Sequence, residues 1–151
     1  MSEQDINSIA LFFFLALLDE KKCVKLSQKV IKELKKSWKN DSSIDKEQSL
    51  ISECQVVLEK ALDGKSNVIG AVVSNGEDWG LPKNVGLEAW KKFLQTEEIS
   101  NVIPLIWGEV LGKSDENISK ALNLSRGTIQ TRIAKGLAHL GSHCTSEMVN
   151  A

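Results

Sequence analysis

Gly112 to Leu140, GKSDENISKALNLSRGTIQTRIAKGLAHL, decides how the chain is read. Ser114 can cap a helix, and Asp115 and Glu116 follow in its first turn, where carboxylates favour the positive end. Ile118, Ala121 and Leu122 then recur at helical spacing. Asn123 falls where that helix should stop, and asparagine tolerates the left-handed backbone of a sharp turn. Leu124 is apolar and suits the corner. Ser125 can cap a second helix, on which Ile129, Ile133, Leu137 and Leu140 form one apolar face. The spacing predicts two short helices joined by a tight turn, a helix-turn-helix.

The second helix also carries the chemistry of a groove reader. With Ile129 and Ile133 turned inward, about 100° per residue puts Gly127, Thr128, Thr131, Ala134, Lys135 and Ala138 outward. Gln130 and Arg132 lie on the flanks, and Arg126 stands at the start. Between Ser125 and Leu140 there are three Lys/Arg and no acid. Arg and Lys pair with phosphates or guanine edges, Gln pairs with adenine, and small residues let a helix sit deep. The candidate DNA-binding residues are Ser125, Arg126, Thr128, Gln130, Thr131, Arg132 and Lys135. A helical hairpin whose basic face is only solvated is the plainer reading of the same stretch.

The segment LIWGEVLGKSDENISKALNLSRGTIQTRIAKGLAHL, Leu105 to Leu140, resembles the C-terminal promoter-binding region of sigma-70 family RNA polymerase sigma factors, in their short extracytoplasmic-function-like form. Those proteins have a leucine-rich helix, a Gly-x-Ser/Thr step, an EEIA-type helix, an S-x-G-T-V turn and a basic, apolar helix. Here Gly112-Lys113-Ser114, Asn117-Ile118-Ser119 and Ser125-Arg126-Gly127-Thr128-Ile129 with Arg132 fill those places. The resemblance implies promoter DNA and RNA polymerase core as partners, and an anti-sigma or other protein partner beside them. Other helix-turn-helix regulators share part of the pattern.

Length and composition fit that reading without requiring it. The chain has 151 residues, enough for one core or two small ones, and its net charge of −1 leaves DNA attraction to local patches. Tyrosine is absent, proline is scarce, and most stretches have helical periodicity. The expected fold is all-α: an N-terminal helical domain over 1–63, a Gly-rich linker over 64–86, a helix-turn-helix domain over 87–142 and a frayed tail over 143–151.

After the acidic, polar residues Ser2 to Asp5, an apolar run from Ile9 to Leu18 predicts a buried helix. At ten residues it is too short to span a bilayer, and it has neither a basic leader nor a cleavage site. Asp19 to Lys22 reads as a helix junction. Lys21 to Lys39 then holds eight lysines and a single acid, Glu33, with Leu26, Val30, Ile31, Leu34 and Trp38 along an apolar side. Leu26-Ser27-Gln28-Lys29-Val30-Ile31 resembles the polymerase-contacting helix of short sigma factors. On that likeness Lys25, Gln28, Lys29 and Lys32 are the candidate partner-binding residues, for polymerase or an acidic protein. Lys25 and Lys29 stand where the family pattern is acidic, which reverses the charge. Asn40 to Asp45 should break the chain before a helix over Glu47 to Leu62.

Five of the ten glycines lie in 63–87, and no cluster of aromatic and basic residues between Trp38 and Trp79 matches the promoter-opening segment of a sigma factor. Further helices are expected from Leu87 and over Ile99 to Leu111, with Pro104 starting or kinking the latter. Gly141 should end the last helix.

Catalysis finds little support. The chain has two histidines, and no Ser/His/Asp set or paired acids. Gly64-Lys65-Ser66 and Gly112-Lys113-Ser114 lack the glycine five residues earlier that a phosphate loop needs. His139, His143 and Cys144 can be drawn as metal ligands, but Gly141 interrupts that spacing and no fourth ligand is evident. No enzyme activity, metal or cofactor is expected. Three cysteines without CxxC spacing or a signal peptide point to a reducing cytoplasm, with no membrane association. Two functions follow: a sigma-factor-like transcription regulator, or a sigma-like interaction module that binds an acidic partner or self-associates and initiates nothing.

Overall fold

A run with no polar residue has to be buried, and Ile9 to Leu17 forms the second half of α1 (Glu3–Leu17). Ile9, Phe12, Phe13 and Leu15 are fully buried, and Phe14 and Leu17 nearly so. The computed structural model describes residues 1–62 and 85–150, with side chains as far as Cys144. The remaining helices are α2 (Glu20–Asn40), α3 (Lys46–Leu62), α4 (Leu87–Thr96), α5 (Ile99–Leu105), α6 (Asp115–Leu122) and α7 (Arg126–Asn150). A π-helical turn, Ile106–Val110, continues α5. The described chain is all-helical, as expected. The expected Gly-rich connection lies outside the described residues except for Val85 and Gly86.

The polar start of the chain is part of α1 rather than a tail preceding it. The Ser2 hydroxyl accepts the Asp5 backbone N–H at 3.1 Å, and the Asp5 carboxylate accepts the Ser2 N–H at 3.1 Å. This reciprocal box satisfies amides that the first turn leaves unpaired. At the other end Leu18 takes a left-handed backbone, φ 48°, which a bulky residue rarely adopts. Complete burial of its side chain holds it there. Asp19 then caps α2 by accepting the Lys22 N–H at 3.1 Å. The expected junction is therefore a two-residue corner.

Residues from both described segments build one continuous apolar core. Phe12 of α1 stacks on Trp107 of the π turn, ring centroids 4.5 Å apart and planes 16° from parallel. The Trp90 indole N–H of α4 donates to the Leu15 carbonyl at 2.7 Å, pairing an acceptor that the end of α1 leaves open. The Trp107 indole N–H, also buried, finds no acceptor among the described residues.

Pro104 lies in the sixth position of α5 and cannot donate to Ser100. The helix widens directly after it: Leu111 N–H reaches back to Ile106 and Lys113 N–H to Trp107. Gly112, φ +68°, ends the turn. Gly108 faces α7 so closely that a Cβ there would stand 2.9 Å from the Ile133 Cδ1, so the absent side chain permits the approach.

The expected stop at Gly141 is corrected: α7 runs through it to Asn150. A helical glycine costs only about 1 kcal/mol relative to alanine. Tertiary contacts on both sides of the glycine oppose that cost: His139 Nδ1 lies 2.9 Å from Glu97 Oε2 at the end of α4, and His143 Nε2 lies 3.4 Å from the Thr96 hydroxyl. Partial burial pushes the Glu97 carboxyl upward, but hydrogen bonds from Asn101, His139 and the Glu98 amide outweigh it and hold the group below its ordinary value.

Cys23 and Cys54 are both buried free thiols. Burial, with the Glu53 charge adding to it, pushes the Cys54 thiol well above its ordinary value of 9.0. Burial also raises Cys23, against a hydrogen bond from Ser27. Keeping these thiols neutral contributes stability that is fully present below the ordinary thiol value and lost as pH rises above it. Each thiol removes at most about 1.4 kcal/mol per pH unit. The urea midpoint should fall between about pH 8 and about pH 10, and fall less in Cys54→Ala. Equal falls in both proteins would refute this.

Candidate nucleic-acid interface

The turn between α6 and α7 is built from local chemistry. Ser114 accepts the Asn117 N–H at 3.2 Å and starts α6. Asn123 takes φ 57°, ψ 46°, and its N–H returns to the Ser119 carbonyl. Leu124 N–H also reaches Ser119 O, at 3.0 Å. These two bonds close the helix around a left-handed residue. The Ser119 hydroxyl donates to the Leu124 carbonyl. Ser125 then accepts the Thr128 N–H at 3.1 Å, with the Thr128 hydroxyl 2.8 Å away, and caps α7. Asn123→Gly should leave stability within a few tenths of a kcal/mol, whereas Asn123→Val should cost about 1–2 kcal/mol, because a β-branched residue resists that backbone. Equal melting temperatures for the two variants would refute this account of the turn.

The buried face of α7 is Ile129, Ile133, Gly136 and Leu140. Leu137, expected inward, is 36% exposed. Gly136 occupies the inward position instead, because α7 packs close to α5: a Cβ there would stand 3.4 Å from the Asn101 carbonyl oxygen.

The structure divides the seven candidate DNA-binding residues into two groups. Ser125, Thr128, Thr131, Arg132 and Lys135 share one open cleft of about 630 Å³ with Gly127. Its opposite wall is Glu98, Ser100 and Asn101, at the start of α5. Gln130 turns away, its amide donating to Asp115 Oδ2 at 3.1 Å. Arg126 stands on the α6 side as well. The Lys120 hydrogen bond and charge, with the Arg126 charge behind them, hold the Glu116 carboxyl below its ordinary value. Arg126, Gln130, Thr131 and Lys135 are exposed, and Thr128 and Arg132 half-buried. Sequence reasoning missed Glu98, Ser100 and Asn101. They are ordinary polar residues at a helix start, and only packing of α5 on α7 brings them to the cleft.

Behind this surface α6 is held by α3. Glu47 Oε1 pairs with Lys113 Nζ at 3.2 Å and Glu47 accepts the Asn117 amide. The Gln48 amide donates to Asn117 Oδ1 at 3.1 Å.

The candidate partner-binding residues Lys25, Gln28, Lys29 and Lys32 are all exposed on α2. Lys25 and Lys29 line a groove of about 530 Å³ between α2 and α3, with Lys22 and Lys60 beside them and Glu33 and Glu53 opposing. Leu26, Val56 and Val57 also line it. Gln28 and Lys32 do not line it, and no residue lines both this groove and the α7 cleft.

Among the described residues, no group of three or more His, Cys, Asp and Glu side chains is arranged to hold a metal ion. No described helix is long and apolar enough to cross a membrane. No family model, no curated protein and no solved structure matches the chain.

Proposed function

We propose that the chain is a DNA-binding transcription regulator of sigma-factor-like design, with α6, the Asn123 turn and α7 as its helix-turn-helix. One observation carries this reading. The residues that cap and bury α7 leave a neighbouring surface that exposes Arg126, Gln130, Thr131 and Lys135, and the helix has no acid between Arg126 and Leu140. On this reading Thr128, Thr131 and Lys135 meet base edges from the cleft. Arg126 and Gln130 hold phosphates or flanking bases from the α6 side, and Arg132 does so from the cleft edge. The 87–142 segment acts as the DNA-binding unit, and 1–63 engages RNA polymerase, which supplies all the chemistry. Titrating the purified chain into labelled duplex DNA at several salt concentrations tests this. Expected is binding whose logarithm falls linearly with the logarithm of salt. No binding at low salt, alone or with polymerase core, refutes it.

The α2 lysines favour a second reading, an interaction module that holds an acidic protein. Among the described residues none of Lys25, Lys29 and Lys32 is in an ion pair. A pull-down with polymerase core, repeated with Lys25→Glu and Lys29→Glu combined, separates the two. Polymerase capture by the natural chain supports the first. Capture only by the reversed-charge variant supports the second.

A further inference from the structure

Because α7 continues through Gly141, His139 and His143 keep an uninterrupted i, i+4 relation and lie on one face, a turn apart. Their rings are 4.9 Å apart between centroids. Both Nε2 atoms aim at one point: His139 Nε2 is 3.2 Å and His143 Nε2 3.4 Å from the Thr96 hydroxyl. That hydroxyl has a single proton, and the Lys92 carbonyl, 2.9 Å away, competes for it. When the Lys92 carbonyl takes that proton, an unprotonated Nε2 facing the oxygen has no donor, and its lone pair can bind a Lewis acid.

His139 is already oriented as a metal ligand is. Its Nδ1 faces Glu97 Oε2 at 2.9 Å, so the ionised carboxylate favours the Nδ1–H tautomer and leaves Nε2 as the donor atom. Glu97 is itself fixed, its Oε1 accepting the Asn101 amide at 3.1 Å and the Glu98 N–H at 2.9 Å. A carboxylate, an imidazole whose Nε2 carries no proton, and a second imidazole converging on the same point are the parts of a chelate. Thr96 is exposed and both histidines are half-buried, so an ion can reach the point from solvent.

We propose that His139 and His143 chelate a divalent transition-metal ion of the zinc class through Nε2, with Glu97 as the positioning residue behind His139. Imidazole pairs suit zinc, nickel and copper rather than magnesium or calcium. With two protein nitrogens, water or the Thr96 hydroxyl fills the remaining positions. Such an ion would join the end of α4 to the second half of α7. The inference does not depend on DNA binding.

Calorimetric titration of the full chain with Zn2+ at neutral pH tests the site, together with nitrogen NMR of the histidine rings. Expected is one ion per chain, with the Nε2 resonances of both histidines shifting and Nδ1 of His139 retaining its proton. His143→Ala should weaken binding at least about tenfold, and Glu97→Gln about 10–100-fold. Cys144→Ser should leave it unchanged. The natural chain supplies the NMR result, so the test does not require any variant to fold. Unshifted Nε2 resonances at saturating zinc would overturn the proposal. So would full affinity in His143→Ala, or loss of binding in Cys144→Ser alone.

Discussion

Trp107→Ala is expected to destabilise the chain by about 3–5 kcal/mol and to lower its melting temperature on the order of 10 °C. The side chain is wholly buried and stacked on Phe12, so truncation leaves a void that packed helices cannot close. Against a total of about 5–15 kcal/mol, that loss brings the fold near its limit. Trp107→Phe should cost less than half as much. It keeps an aromatic ring over Phe12 and removes an indole N–H that finds no acceptor among the described residues. The Ala variant also tests whether the core is shared. Amide hydrogen exchange should accelerate in α1 as well as in α5 and α7, because Phe12 loses its partner. Unchanged protection over α1 to α3 would mean that the two described segments are stabilised independently.

Lys135→Glu should reduce DNA affinity at least about tenfold at low salt and flatten the log–log salt slope by about 1 or more, the effect of one lost phosphate contact. Lys135 is the cleaner choice beside Arg132. It is exposed, whereas Arg132 is half-buried and also borders the apolar groove containing Leu58 and Ile103. The opposite sign is expected across the cleft. Glu98 faces the same space as Lys135, so Glu98→Gln should strengthen binding and steepen the slope. A Lys135→Glu variant that binds as the natural chain does, with Glu98→Gln equally silent, would remove the cleft from the DNA-binding surface.

Legibility followed the range of the forces involved. The α6–α7 turn was readable because Ser114, Asn123 and Ser125 act within a few residues of themselves, through caps and a left-handed corner. The apolar run in α1 was readable because ten hydrophobic residues have few places to go. Gly141 misled because local propensity favoured a stop there, while a contact opposing it, Thr96 to His143, comes from another helix. Leu137 misled because its spacing matched an apolar face, whereas Gly136 is what lets α7 approach Asn101. The stack of Phe12 on Trp107 and the Trp90 bond to Leu15 have no local signature at all. In the candidate site, the residues of α7 could be assigned to its outer surface by periodicity, but not divided between two partners. Asp115 takes Gln130, and Glu98 faces Lys135, only once three helices are packed together.

Glu47 and Gln48 grip α6 from α3 through Lys113 and Asn117, and α6 in turn carries the Asn123 corner that sets where α7 begins. A ligand on the first turn of α3 and one on α7 would therefore act on opposite ends of a single lever. Should one of them, by shifting α6, change the affinity for the other, thermodynamic reciprocity requires the other to change the affinity for the first by the same factor.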